Sequence, residues 1–290
     1  MSRFPFPFIF FALFTLFAAI PDSASAQDVE FYRVVTTDGN VFIGELISES
    51  ESEVVILTEV IGRVTIRRDN IRSMTRLDES EIRDGEYWYE NPQATRYLFA
   101  PNAIGLRKGH GYYQNTWIFF NNVNYGVTNN FSIGGGLIPT FLFGTSSTPV
   151  WITPKISIPV ANENVHLAAG ALIGGVIGED SGGGGLFYGT STFGNRDRNI
   201  SFGLGYGFGG GEISSTPAVN ISGMIRLSKS MHLVSENYLF PGTSANGIAS
   251  VGTRWAPENF AVDFALVRPL EGLGSFIGIP WLSVTIPFGR

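Results

Sequence analysis

The chain has no cysteine, three histidines and few charges. Without cysteine there are no disulfides, thiolate metal sites, cysteine nucleophiles or lipid-modified cysteines. His110, His166 and His232 are too few to suggest a multi-histidine metal site. Charged residues are 15% of the 290, against about 25% in a usual soluble domain. The net charge of −6 runs against a general nucleic-acid binder, which is usually basic. After residue 27 no apolar run reaches the ~20 residues that a spanning helix needs. A mature chain that sits in a membrane must therefore cross it as strands. No metal motif, Walker motif or dinucleotide fingerprint occurs, so no cofactor is expected.

Glycine and phenylalanine are abundant, at 36 and 24 residues. Glycine without a collagen period, beside that much phenylalanine, excludes both collagen and ordinary disorder. Arg3, then the apolar stretch 4–20, then Pro21-Asp22 and Ala24-Ser25-Ala26 read as a secretory signal peptide. Cleavage is expected after Ala26, which makes 1–26 a signal peptide and the mature chain an exported one.

Residues 27–78 read as a small β-domain. Strands are predicted at 30–37, 41–47, 53–59, 63–67 and 71–74, with Asp38-Gly39-Asn40 as a tight hairpin turn. Five short strands in so few residues suit a small, strongly bent barrel, and their spacing resembles Sm-like or SH3-like domains. The expected role is packing or docking on a periplasmic partner. Arg63, Arg67, Arg68 and Arg72 read as a solvated edge or as a docking surface for an acidic partner. Residues 79–93 read as an acidic linker. Within it, Tyr87-Trp88-Tyr89 is either a local clamp or an anchor at the membrane surface.

From residue 94 the pattern alternates with a period of two. Ile200, Phe202, Leu204, Tyr206 and Phe208 oppose Ser201 and glycines. Phe260, Val262, Phe264 and Leu266 oppose Ala261, Asp263 and Ala265. In a soluble sandwich the apolar face would meet a second sheet. In a membrane barrel it meets lipid, and the polar face lines a lumen. Segments of ten or more residues, aromatics near their ends and a small, polar inward set favour the barrel. The predicted fold is all-β: an antiparallel transmembrane β-barrel over 94–290 behind the small front domain. Twelve strands are predicted, at 94–106, 111–125, 131–144, 149–160, 164–178, 185–194, 199–209, 217–228, 231–240, 247–256, 259–268 and 277–288. Ten remain the alternative if 94–106, broken by Pro101, is not a strand. Short and long connections alternate, which places both ends of the barrel and the front domain in the periplasm.

The stretches Arg96-Tyr97-Leu98-Phe99-Ala100-Pro101-Asn102-Ala103-Ile104, Lys108-Gly109-His110-Gly111-Tyr112-Tyr113-Gln114-Asn115 and Tyr125-Gly126-Val127-Thr128-Asn129-Asn130-Phe131-Ser132-Ile133-Gly134-Gly135-Gly136 resemble a group of uncharacterised outer-membrane-type β-barrel proteins of Gram-negative bacteria. The resemblance runs over much of 94–290. It implies an outer-membrane location in contact with lipid, and it brings no catalytic residues. One departure is the ending Phe288-Gly289-Arg290, where many such barrels end on an aromatic residue.

Alternation places Lys155, Arg226, Glu236, Arg254 and Asp263 on the lumen side, where charge avoids the cost of facing lipid. They read as a polar network that fills the interior, with no long loop available to fold in. The role expected first is structural or interactive. The alternative is a narrow channel for small polar solutes, selected by these charges. The third reading, a lipid hydrolase, rests on His232 near Ser235 and Glu236. Ser235 points to the opposite face from the other two, so an enzyme is not expected.

Overall fold

The computed structural model describes residues 30–77, 81–83, 86–161, 164–178, 182–242, 246–271 and 277–289. The signal peptide predicted at 1–26 lies outside the described residues. The chain divides into two units between Tyr87 and Trp88.

The first unit is a five-stranded antiparallel sheet. Its strands are β1 (Phe31–Thr36), β2 (Val41–Glu49), β3 (Glu53–Thr58), β4 (Gly62–Arg67) and β5 (Ile71–Arg76), in the order β4-β3-β2-β1-β5. The turn between β1 and β2 follows its sequence: Gly39 takes φ 89°, which costs glycine nothing, and the Thr36 hydroxyl donates to Asp38. Val34, Val54, Ile56 and Ile66 form the core. At Gly44 a Cβ would lie 2.2 Å from the Leu57 carbonyl oxygen, so β2 and β3 approach more closely than any side chain would allow. Two further short strands, β6 (Ile82–Arg83) and β7 (Glu86–Tyr87), pair with each other.

The second unit is a closed antiparallel barrel. Its wall comprises β8 (Gly111–Thr116), β9 (Phe120–Gly126), β10 (Phe131–Leu137), β11 (Thr148–Ile152), β12 (Lys155–Ala161), β13 (Val165–Ile177), β14 (Gly184–Gly194) and β15 (Arg198–Gly209). It continues through β16 (Glu212–Ile213), β17 (Ala218–Arg226), β18 (Met231–Leu239), β19 (Gly247–Trp255), β20 (Ala261–Pro269) and β21 (Ile279–Phe288). β11 and β12 are two halves of one wall strand, since both pair with β10 and β13. β16 is a short pairing on the end of β15. Twelve wall strands result, and β21 closes on β8 with Phe288 opposite Gly111.

The predicted number is reached by a different partition. Residues 111–125 are two strands, because the chain reverses at 117–119, where Trp117 and Ile118 take φ 50° and 69°. Neither residue is a usual turn former, so the reversal carried no sequence signal. Residues 94–106 add no strand to the wall. Within them only Arg96 and Pro101 form an isolated bridge. The strand predicted at 131–144 stops at Leu137, and Thr140–Phe143 form a 3-10 turn that exposes Phe141, Leu142 and Phe143. Here Pro139 supplies no N–H to a ladder, and Gly144 at φ 79° turns the chain back.

Side chains follow the period of two. On β15, Asn199 and Ser201 are buried while Ile200, Phe202 and Leu204 are exposed. On β21, Ser283 and Thr285 are buried while Leu282, Val284 and Ile286 are exposed. The outer wall is thus a continuous apolar surface, which water disfavours and hydrocarbon does not. The connections from β9 to β10, β12 to β13, β14 to β15, β17 to β18 and β19 to β20 fall at one end, with Gly111 and Phe288. The longer ones, from β10 to β11, β13 to β14, β15 to β17, β18 to β19 and β20 to β21, fall at the other, beside the tight turn at 117–119.

Candidate functional site: a hairpin inside the lumen

Residues 91–106 lie within the barrel. Asn91, Gln93, Tyr97, Leu98, Asn102 and Ile104 are each at most 2% exposed. The segment enters and leaves at the short-turn end. On entry Glu90 pairs with Arg196 at 3.1 Å and with Arg107 at 3.1 Å. On exit Lys108 donates its backbone N–H to Asn129 in a short turn. Between these points it doubles back as a hairpin, with the Tyr97 N–H donating to the Ala100 carbonyl at 2.9 Å. Its apex is Leu98-Phe99-Ala100. This corrects the expectation that nothing is available to fold into the lumen: the inserted piece is the stretch leading into the barrel, not a loop between its strands.

An extended segment without strand neighbours must satisfy its backbone some other way. Here the wall side chains do so. Arg254 donates to the carbonyls of Gln93 (2.7 Å), Arg96 (3.2 Å) and Tyr97 (2.7 Å). It also grips Asp263 at 2.6 and 3.2 Å. Asp263 in turn accepts from Ser283 at 3.0 Å. One carboxylate oxygen of Glu236 accepts the apex N–H groups of Phe99 (2.9 Å) and Ala100 (3.0 Å), and the other accepts the Tyr238 hydroxyl at 2.7 Å. Lys155 donates to the carbonyls of Asn102 (3.1 Å) and Ile104 (2.9 Å). The Tyr97 hydroxyl meets Asn199 and Ser201, both at 2.7 Å.

The structure therefore brings Lys155, Glu236, Arg254 and Asp263 to one object, three by direct bonds and Asp263 through Arg254. Arg226 sits at the short-turn end. It pairs with Asp197 at 3.0 Å, donates to the Tyr89 carbonyl at 2.9 Å and lies 5.0 Å from the Trp88 ring centre. Trp88 and Tyr89 belong to the barrel unit, where they cover a cation, and the residues read as linker from 88 onward are already part of it. Sequence reasoning missed the hairpin's own polar residues, Gln93, Arg96, Tyr97 and Asn102. Pro101 inside an otherwise extended stretch was the available signal.

The hairpin does not fill the lumen. A cavity of about 220 Å³ lies against it, lined from Leu106, Tyr112 and Lys155 to Trp117 and Trp281. Its floor includes Arg96, Phe99 and Ala100, and its walls include Trp117, Trp151 and Trp281. Gly203 and Gly205 keep one wall low. At Gly170 the Tyr188 ring lies where a Cβ would stand, 2.5 Å from its hydroxyl, so glycine there lets the ring lie flat on the wall.

The constellation weighed for hydrolysis is not assembled. His232 is fully buried, while Ser235 faces outward and donates to the Ser250 carbonyl at 2.9 Å. Glu236 is engaged by the hairpin. No group of three metal-ligating side chains occurs among the described residues.

Fold and site together define a closed twelve-stranded barrel with an internal hairpin and a cavity against it. No family model and no curated protein matches the chain. Among solved structures, a KdgM porin is similar with a TM-score of 0.46 and 10% identity, over 62% of this chain and 99% of that one. A NanC porin is similar with a TM-score of 0.39 and 10% identity, over 61% of this chain and 96% of that one. The outer membrane channel DcaP of Acinetobacter baumannii is similar with a TM-score of 0.31 and 11% identity, over 89% of this chain and 94% of that one.

Proposed function

We propose that this chain is an outer-membrane barrel that takes a small polar solute into its lumen and passes it when the 91–106 hairpin moves. The apolar outer wall and the signal peptide read at 1–26 support the location. The short-turn end then faces the periplasm, with the front domain as a docking module there. One observation carries the functional reading: a cavity lies inside the barrel against the buried 91–106 hairpin. A barrel with a purely structural role gains nothing from a cavity lined with indole, amide and guanidinium groups. Solute sites, in contrast, combine apolar walls with a few placed polar groups. The density of bonds from Arg254 and Glu236 favours a second reading, a permanently plugged structural barrel.

Planar-bilayer recording separates the two. Full-length protein is expected to give brief, infrequent openings. A variant lacking 91–106, verified as a closed barrel by its boiling-dependent gel shift, is expected to give large, steady ones. A folded deletion variant that carries no current would leave the structural barrel as the function.

A further inference from the structure

The cavity is asymmetric in its hydrogen-bonding chemistry. Four buried side-chain atoms among its lining have no hydrogen-bond partner among the described residues: Arg96 Nε, Asn122 Nδ2, Asn124 Nδ2 and Trp281 Nε1. All four are donors. Their side chains are on residues only 7–8% exposed. The Asn122 amide is oriented by its neighbour, since its oxygen already accepts from Trp151 Nε1 at 3.3 Å. Its NH2 group is what remains.

Three of the four stand together. Arg96 donates to Gln114 at 2.6 Å and lies 5.7 Å from the Tyr112 ring centre. In the register of β8 with β9, Gln114 is opposite Asn122 and Tyr112 is opposite Asn124. The guanidinium therefore rests on the two residues whose cross-strand neighbours carry the free amides. Charge points the same way. Arg96 and Lys155 both line the cavity, and neither has a carboxylate within ion-pair distance among the described residues. Arg254 and Arg226 are matched by Asp263 and Asp197. Glu236 is taken up by Phe99, Ala100 and Tyr238. Two cations against that one carboxylate leave a surplus of one positive charge.

We propose that the cavity is a binding site for a small monocarboxylate bearing a flat ring. Its oxygens take the N–H groups of Arg96, Asn122 and Asn124, and its ring lies among Trp117, Trp151 and Trp281. A carboxylate is acceptor-only and so matches these four unpartnered donors. A neutral polyol would leave the surplus positive charge unmatched. Charge-assisted bonds of this type are stronger than neutral ones. This assignment rests on the reading that the lumen admits solute.

The test is binding of benzoate and of benzamide, its neutral counterpart, to full-length protein in detergent, followed by calorimetry and tryptophan fluorescence. Benzoate is expected to bind at least about tenfold more tightly, a difference of about 1.4 kcal/mol. Arg96→Met and Asn122→Leu are each expected to cost benzoate about tenfold or more and to leave benzamide nearly unchanged. Asn122 makes no bond to the hairpin, so its variant tests the site even if Arg96→Met disturbs the plug. Equal affinity for the two compounds, or benzoate affinity unchanged in Asn122→Leu and a folded Arg96→Met, overturns the proposal. Current without carboxylate preference also overturns it and leaves the channel reading standing. Carboxylate binding without current upholds the site and removes the channel.

Discussion

Arg254 shows what one side chain does when it replaces a strand partner. It is fully buried, pairs with an equally buried Asp263, and satisfies three hairpin carbonyls. Truncating it leaves a buried carboxylate with only Ser283 and strands those carbonyls. Arg254→Met is expected to destabilise the folded barrel by about 3–5 kcal/mol, read from urea unfolding in detergent. Arg254→Met with Asp263→Leu is expected to recover part of that loss, because the buried charge is gone too. An equally unstable double variant would mean that the carbonyl bonds, not the ion pair, set the cost. In the front domain, Asp38 sets a different dependence. The Thr36 hydroxyl, and then the Asn40 backbone N–H, hold its carboxyl below the ordinary value of 3.8. Its contribution to the β1–β2 turn is therefore complete above the unfolded-state pKa and fades as pH falls through the folded one. The front domain's melting temperature should decline over that acid range. Asp38→Ala should show a flatter decline, and an unchanged one would remove this carboxyl from the account.

At the scale of elements, the turn between β8 and β9 and the hairpin are where periodicity misled. Ile118 is 77% exposed and holds φ 69°, a conformation that costs an ordinary L-residue roughly 1–2 kcal/mol. Its neighbour Trp117 is held there by an indole N–H bond to the Pro280 carbonyl at 2.7 Å and by the Trp281 ring 4.9 Å away. Ile118→Gly should thus stabilise the barrel by roughly 1 kcal/mol, seen as a higher temperature for loss of the compact gel form. A lower temperature would mean that Ile118 itself contributes packing. The hairpin could not be told from a wall strand by pattern, because both are extended. They differ in where their N–H and C=O groups go, and for 94–106 that depends on Glu236, Lys155 and Arg254, distant in sequence.

For the whole molecule, the outer surface makes the strongest demand. Phe264, on β20, is 57% exposed in a row of apolar side chains. Phe264→Arg is expected to cost about 2–4 kcal/mol if that row meets hydrocarbon, whereas a soluble protein would tolerate the change. Outer-membrane recovery and a boiling-dependent mobility shift should accompany the native chain, and recovery as a soluble protein without a shift would rule out the membrane barrel.

The sequence by itself determined the all-β class and the inward side of segments such as 200–208 and 260–266. These follow from a period of two, which is a local property of the chain. From the same alternation Lys155, Arg226, Glu236, Arg254 and Asp263 are read as lumen-side, because charge on the other side would face lipid. Tertiary structure alone decided that 91–106 runs inside the wall rather than as part of it, and that 111–125 is two strands. It also decided that Arg96, Asn122 and Asn124 converge on one cavity. Those outcomes depend on which distant groups complete each backbone and side-chain hydrogen bond, and pairing across a closed barrel joins residues that no local pattern relates.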